Sequence, residues 1–179
     1  LFYYLTKDLH PEPKRTILKV FLFGALATIP TLFIQVWLSE SLVQSQYLAG
    51  LYLPEISAYL PLIFKILKWF LVIAFTEEVF KYLAVRLTVY KDGVLDEPLD
   101  VMLYMVVVAL GFAALENIFY LFSPIDNLSF GEVLSTTITI SFIRFIGATF
   151  LHTLCSALLG YFVALASVIK NGTLEGRQH

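Results

Sequence analysis

Twenty consecutive residues without a formal charge, Val20 to Ser39, lie between Lys19 and Glu40. A hydrocarbon core roughly 30 Å thick is crossed by about 20 apolar residues in a helix, so this run reads as a membrane span. Pro30 stands in its middle, where neighbouring helices compensate a lost hydrogen bond that would break a soluble helix. Three more apolar stretches follow, at about 62–89, 99–122 and 145–169. Lys65, Lys68 and Arg86 flank the second, where long cationic side chains snorkel toward the headgroups. A turn signal from Lys91 to Pro98 separates the second from the third, and Lys170-Asn-Gly closes the fourth. The expected fold is an all-α polytopic membrane helix bundle, one integral membrane domain over 1–179 with about four transmembrane helices.

Composition excludes the alternatives. The chain is 59% hydrophobic and 15% charged, against roughly 45–50% and about 25% in soluble domains. An ordinary cytosolic domain, a disordered chain and a nucleic-acid binder with a basic face are therefore ruled out. Cys155 stands alone, which removes any intrachain disulfide and any cysteine-based metal motif. Residues 39–61 read as an interfacial loop with a short amphipathic helix, while the Thr-rich stretch 130–144 suits either an extension of the fourth helix or a surface segment. No small-residue cleavage site follows the first apolar run, so it is not read as a signal peptide. The polar tail 174–179 has no apolar partner, and a bundle truncated at its C-terminus is expected. Lys and Arg divide nine against three when the N-terminus is placed inside, so both termini are expected on the cytoplasmic side.

Ionisable residues within the spans carry the chemistry, because each costs about 2.5–3.5 kcal/mol near the bilayer centre on insertion scales. The second span contains Glu77, Glu78 and Lys81, the third Glu116 with Asn117, and the fourth His152. With Lys68 and Arg86 as edges, Glu77 falls at mid-span. At 1.5 Å per residue, Glu116 falls roughly 7 Å outward of its own midpoint, and His152 at a similar depth. Glu77 and Lys81 stack four apart, Glu78 reaches Lys81 at three apart, and the two glutamates diverge by about 100°. One glutamate is thus expected to be the reacting base and the other to pair with a cation or a supporting donor. Phe112 shares a face with Glu116, and Ser156 with His152; Gly111, Ala113, Gly147, Ala148, Ala157 and Gly160 offer small packing positions. Crowded carboxylates titrate as a coupled unit, and such a glutamate beside a histidine is a competent general base for water. The same residues, specifically Glu77, Glu116 and His152, could instead hold a divalent metal such as zinc whose bound water attacks. Both routes lead to hydrolysis.

Three motifs then resemble one family. Glu77-Glu-Val-Phe-Lys81, Phe112-Ala-Ala-Leu-Glu116 and the stretch from Arg144 through His152 to Tyr161 are similar, in order, to those of the PrsW intramembrane proteases, relatives of the CAAX prenyl proteases. The resemblance covers Thr76 to Tyr161. It implies a polytopic protease cutting a membrane-embedded protein substrate, which in some bacteria is a single-span anti-sigma factor. By position, Glu77, Glu78, Glu116 and His152 would be catalytic, with Lys81, Asn117 and Arg144 in support. Many relatives carry a further helix with another His or Asp, and the family is described as metallopeptidases while its relatives are argued to work through Glu and His alone.

Two other classes compete with an intramembrane endopeptidase. A proton-coupled transporter or ion pathway would also place Glu and His inside a bundle, but would need a continuous polar path and shows no inverted repeat. A non-catalytic membrane scaffold subunit would keep the polar core without hydrolysis. A protease needs a lateral gap for a substrate helix, expected beside the kinked first span.

Overall fold

A computed structural model describes residues 12–89, 98–122 and 130–175, all of whose regular structure is helical. Helix α1 runs Lys14–Tyr52. Helix α2, residues 60–88, is α-helical over Leu60–Leu67, widens to π-helical turns over Lys68–Phe75 and is α-helical again over Thr76–Thr88. Helices α3 and α4 are Pro98–Leu121 and Phe130–Glu175. By length and composition, three helical stretches among the described residues suit a membrane crossing: Lys14–Tyr52, Leu99–Leu121 and Ser135–Ser167. Helix α2 is the charged member of the bundle. The turn expected at 91–97, the N-terminal Lys7 and the end of the tail lie outside the described residues.

Two inter-span expectations meet different outcomes. Residues 40–52, expected within a loop, continue α1 as helix. Near an interface, carrying the helix onward satisfies backbone groups that a loop would leave to water, and Ser41 and Ser45 donate back to the Trp37 and Ser41 carbonyls at 2.9 and 2.8 Å. The helix stops at Leu53 (φ -128°, ψ 62°), the residue that Pro54 excludes from helical geometry. Residues 130–144 extend the fourth helix. Helix α1, with 39 residues, is therefore about 58 Å long and α4, with 46, about 69 Å.

Helix α3 is the centre of the bundle: half of its apolar stretch is buried, against 22% for α1 and 17% for α4. Val20, Ala84, Val85, Val89, Tyr104, Met105, Val107 and Val108 form the core beside the start of α1 and the end of α2. Lys19 Nζ reaches the Thr88 carbonyl at 3.1 Å, and the Tyr104 hydroxyl donates to Glu12, which ties that end together. Toward the other end, the Thr28 hydroxyl donates to the Phe112 carbonyl at 3.3 Å. Pro30 leaves the Leu26 carbonyl without its helical donor, and Thr31, one residue on, donates to the Ala27 carbonyl at 2.7 Å. The outward faces of α1 and α4 are apolar and open, with Phe33 and Phe150 74% and 67% exposed; such faces belong against lipid.

Helices α1 and α3 approach backbone to backbone. A Cβ added at Gly111 would overlap the Phe21 carbonyl, and one at Gly24 the Val108 carbonyl. Neither obstacle is a side chain that could swing away, so any larger residue must push the helices apart. Gly147, expected as a packing position, faces open space instead. Gly111→Ala is expected to destabilise the bundle by about 1–3 kcal/mol, the usual range for overpacking, while Gly147→Ala leaves it unchanged. Thermal unfolding of both variants in the same detergent checks the difference.

Candidate active site

Glu77 and Glu78 sit in the first turn after the π-helical stretch of α2, a kind of irregularity that is frequent at functional sites. Lys81 follows one turn later with no exposed surface. Its ammonium bridges the divergence of the two glutamates: Nζ lies 2.6 Å from Glu78 Oε1 and 3.8 Å from Glu77 Oε2. The Phe112 ring of α3 covers it, with its centroid 4.8 Å from Nζ. Lys81 Nζ also donates to His152 Nδ1 of α4 at 2.9 Å. That bond assigns the ring proton to Nε2, which donates to Glu116 Oε2 of α3 at 2.9 Å.

The outer members complete the network. Arg144 Nη2 pairs with Glu116 Oε2 at 3.1 Å, and its guanidinium stacks 3.3 Å above the Tyr120 ring. The Ser156 hydroxyl, fully buried, donates to Glu78 Oε2 at 2.7 Å. Gln35 of α1 donates to Glu77 Oε1 at 3.2 Å. Three carboxyl groups thus share the cluster with the Lys81 ammonium, the Arg144 guanidinium and the His152 imidazole. Glu78 has both oxygens engaged at short range. Glu77 Oε2 has only the longer contacts, 3.4 Å to His152 Nδ1 and 3.8 Å to Lys81.

Of the residues expected from the sequence, Glu77, Glu78, Lys81, Glu116, Arg144 and His152 come together in one network. Asn117 does not: its amide donates to Thr149 Oγ1 at 3.2 Å, between α3 and α4. Sequence reasoning passed over Gln35, whose only signal is an amide in an otherwise apolar half-span, and Tyr120, four residues after Glu116. Ser156 was marked as sharing a face with His152, without its bond to Glu78.

Among the grooves that open toward the surroundings, two lie beside the helices that carry the network. One of about 560 Å³ runs beside α1 past Pro30, lined by Ile29, Leu32, Phe33, Val36, Trp37, Glu40 and Phe119, none of them in the network. The other, of about 200 Å³, lies between α2 and α4, lined by Phe75, Val79, Tyr82, Leu159, Val163 and Glu78. Of these two, the groove between α2 and α4 touches the network, through Glu78, and the one beside the kinked first helix does not.

A divalent ion requires donors meeting at one point about 2.0–2.2 Å away. Glu77 and Glu116 contact opposite nitrogens of the His152 ring, so Glu77, Glu116 and His152 do not meet at one point. The donors that do converge, Glu77, Glu78 and His152 Nδ1, converge on Lys81 Nζ. Among the described residues no group of three or more His, Cys, Asp or Glu side chains is arranged to hold a metal. As placed, this donor set does not fit one.

Residues 12–178 match the family described as PrsW family intramembrane metalloprotease. The chain is 36% identical to the Protease PrsW of Geobacillus kaustophilus over 67% of its own length and 45% of that protein's. It is 28% identical to the Protease PrsW of Oceanobacillus iheyensis over 96% of its length and 66% of the relative's. The corresponding protein of Bacillus subtilis is 26% identical over 92% and 62%. The chain thus spans from about half to two thirds of the length of these curated relatives. No solved structure matches it.

Ser156→Ala removes the neutral donor to Glu78 and is expected to lower stability by about 1–3 kcal/mol. Cys155→Ala, at the exposed neighbouring position, is expected to stay within about 0.5 kcal/mol. Thermal unfolding in detergent compares the two.

Proposed function

The chain belongs to the PrsW family of intramembrane metalloproteases, and from that premise we propose that it hydrolyses a peptide bond of a membrane-anchored protein at the Glu77–Glu78–Glu116–His152 network. The observation that carries the reading is the joining of four ionisable side chains from three helices in one network, with Glu78 lining a groove between α2 and α4. Glu77 is the general base, because its Oε2 keeps acceptor capacity that Glu78 has spent on Lys81 and Ser156. It takes a proton from water as the water oxygen bonds to the substrate carbonyl carbon. It returns that proton to the amide nitrogen as the C–N bond breaks. His152 lies beside Glu77 Oε2, its Nδ1 accepting from Lys81 and its Nε2–H donating to Glu116, bonds that hold the ring in place next to the base. Arg144 and Gln35 orient Glu116 and Glu77.

A substrate helix approaches through the α2–α4 groove, whose walls are apolar apart from Glu78 and the Tyr82 hydroxyl. With the N-terminus on the cytoplasmic side, the network falls in the outer half of the bilayer. An anti-sigma-factor-like single-span substrate is the finer form of this proposal and rests on the family resemblance.

Glu77→Gln and His152→Ala are each expected to reduce cleavage of a reconstituted single-span substrate by about a hundredfold or more, with the protein still folded by circular dichroism. Wild-type rates in both would overturn the reading. Val163→Trp, which fills the α2–α4 groove, is expected to slow cleavage mainly by weakening substrate binding. A bulky substitution at Val36 in the larger groove leaves cleavage unchanged, and a substrate titration separates the two.

A further inference from the structure

The centre of the network is filled by a side chain of the chain itself. Lys81 has no exposed surface, yet its ammonium touches Glu78 at 2.6 Å, His152 Nδ1 at 2.9 Å and Glu77 at 3.8 Å, under the face of Phe112. A cation between two carboxylates and an imidazole nitrogen is what a zinc site contains, but these separations are those of N–H hydrogen bonds and ion pairs rather than metal bonds. Its position follows from the sequence: a lysine three and four residues after a glutamate pair on one helix returns its ammonium to both. His152, arriving from α4, supplies the third donor.

We propose that the Lys81 ammonium is the resident cation of this site, holding the position that a metalloprotease gives to its metal ion. The inference rests on the protease reading for its meaning, though not for its measurement. Lys81 is a positioning residue, since burial keeps it from substrate. Its charge engages Glu78, which leaves Glu77 as the carboxylate free to take a proton. Its bond to Nδ1 fixes the His152 tautomer, so that Nε2–H faces Glu116. A divalent ion at the same point would have to displace an ammonium that has no other described carboxylate to pair with.

The test uses the full-length protein purified in detergent without chelator. Elemental analysis is expected to find no stoichiometric zinc, and titration with cobalt(II) no visible d–d band. Lys81→Ala vacates the position among Glu77, Glu78 and His152, and is expected to gain a cobalt(II) band that Lys81→Ala combined with His152→Ala lacks. Cleavage by the wild type is expected to survive chelator, to fall about a hundredfold in Lys81→Ala as a preorganised charge is lost, and to recover in part in Lys81→Arg. Stoichiometric zinc in the wild type that His152→Ala abolishes would overturn the inference, as would full activity in a folded Lys81→Ala. A metal-free wild type with no cobalt band and no cleavage of any substrate would sink the protease reading, yet leave the assignment of the cation standing.

Discussion

An ion moved out of water into a low-dielectric interior costs several kcal/mol unless other charges and donors take the place of its hydration shell. Every other feature of this bundle is arranged around that constraint. The buried ammonium of Lys81 is held by Glu78, Glu77 and His152, and the far side of His152 by Glu116 and Arg144. Remove one partner and its neighbours are left as unpaired charges, a cost of about 3–5 kcal/mol in comparable buried pairs. The network is therefore a structural joint between α2, α3 and α4 as well as a candidate reaction centre.

Precise helix spacing is what permits such a joint. In lipid, helices are not driven together by exclusion of water, so close packing and interhelical hydrogen bonds must hold them. Gly24 and Gly111 bring the α1 and α3 backbones into direct contact, and Thr28 bonds across to Phe112, one turn before Glu116. That contact sets the position of Phe112 over Lys81 and allows Gln35, further along α1, to reach Glu77. Glycines far from any charge thus determine where the charges meet. Helix α2 and helix α4, by contrast, leave a groove at Glu78, and the loose side of the bundle is the side where a substrate segment could enter.

Much of the fold was legible in the sequence because charge in a membrane is conspicuous. Glu77, Glu78, Glu116 and His152 stand out from apolar runs, and counting from the span edges placed them at depths that meet. Neutral polar residues give no such signal. Gln35 differs from its neighbours only by an amide, and Ser156 by a hydroxyl. Asn117, adjacent to Glu116, was expected in a supporting role, but successive residues on a helix point about 100° apart, and it turns to Thr149 instead. The segment 40–52, expected within an interfacial loop with a short amphipathic helix, continues α1 instead, since composition alone does not tell a helix leaving the membrane from an irregular interfacial chain.

By itself the sequence determined that the chain is a helical membrane bundle, that its acids and histidine lie at similar depth, and that Lys81 falls within reach of both glutamates. All of these follow from helical periodicity and the cost of charge in lipid, which act within one segment at a time. Only the tertiary structure decided which nitrogen of His152 meets which carboxylate, that the ammonium of Lys81 occupies the point where the donors converge, and that Glu78 borders a groove between α2 and α4. Those depend on the rotation of each helix about its axis. That rotation is fixed by contacts between helices distant in sequence, which no local pattern encodes.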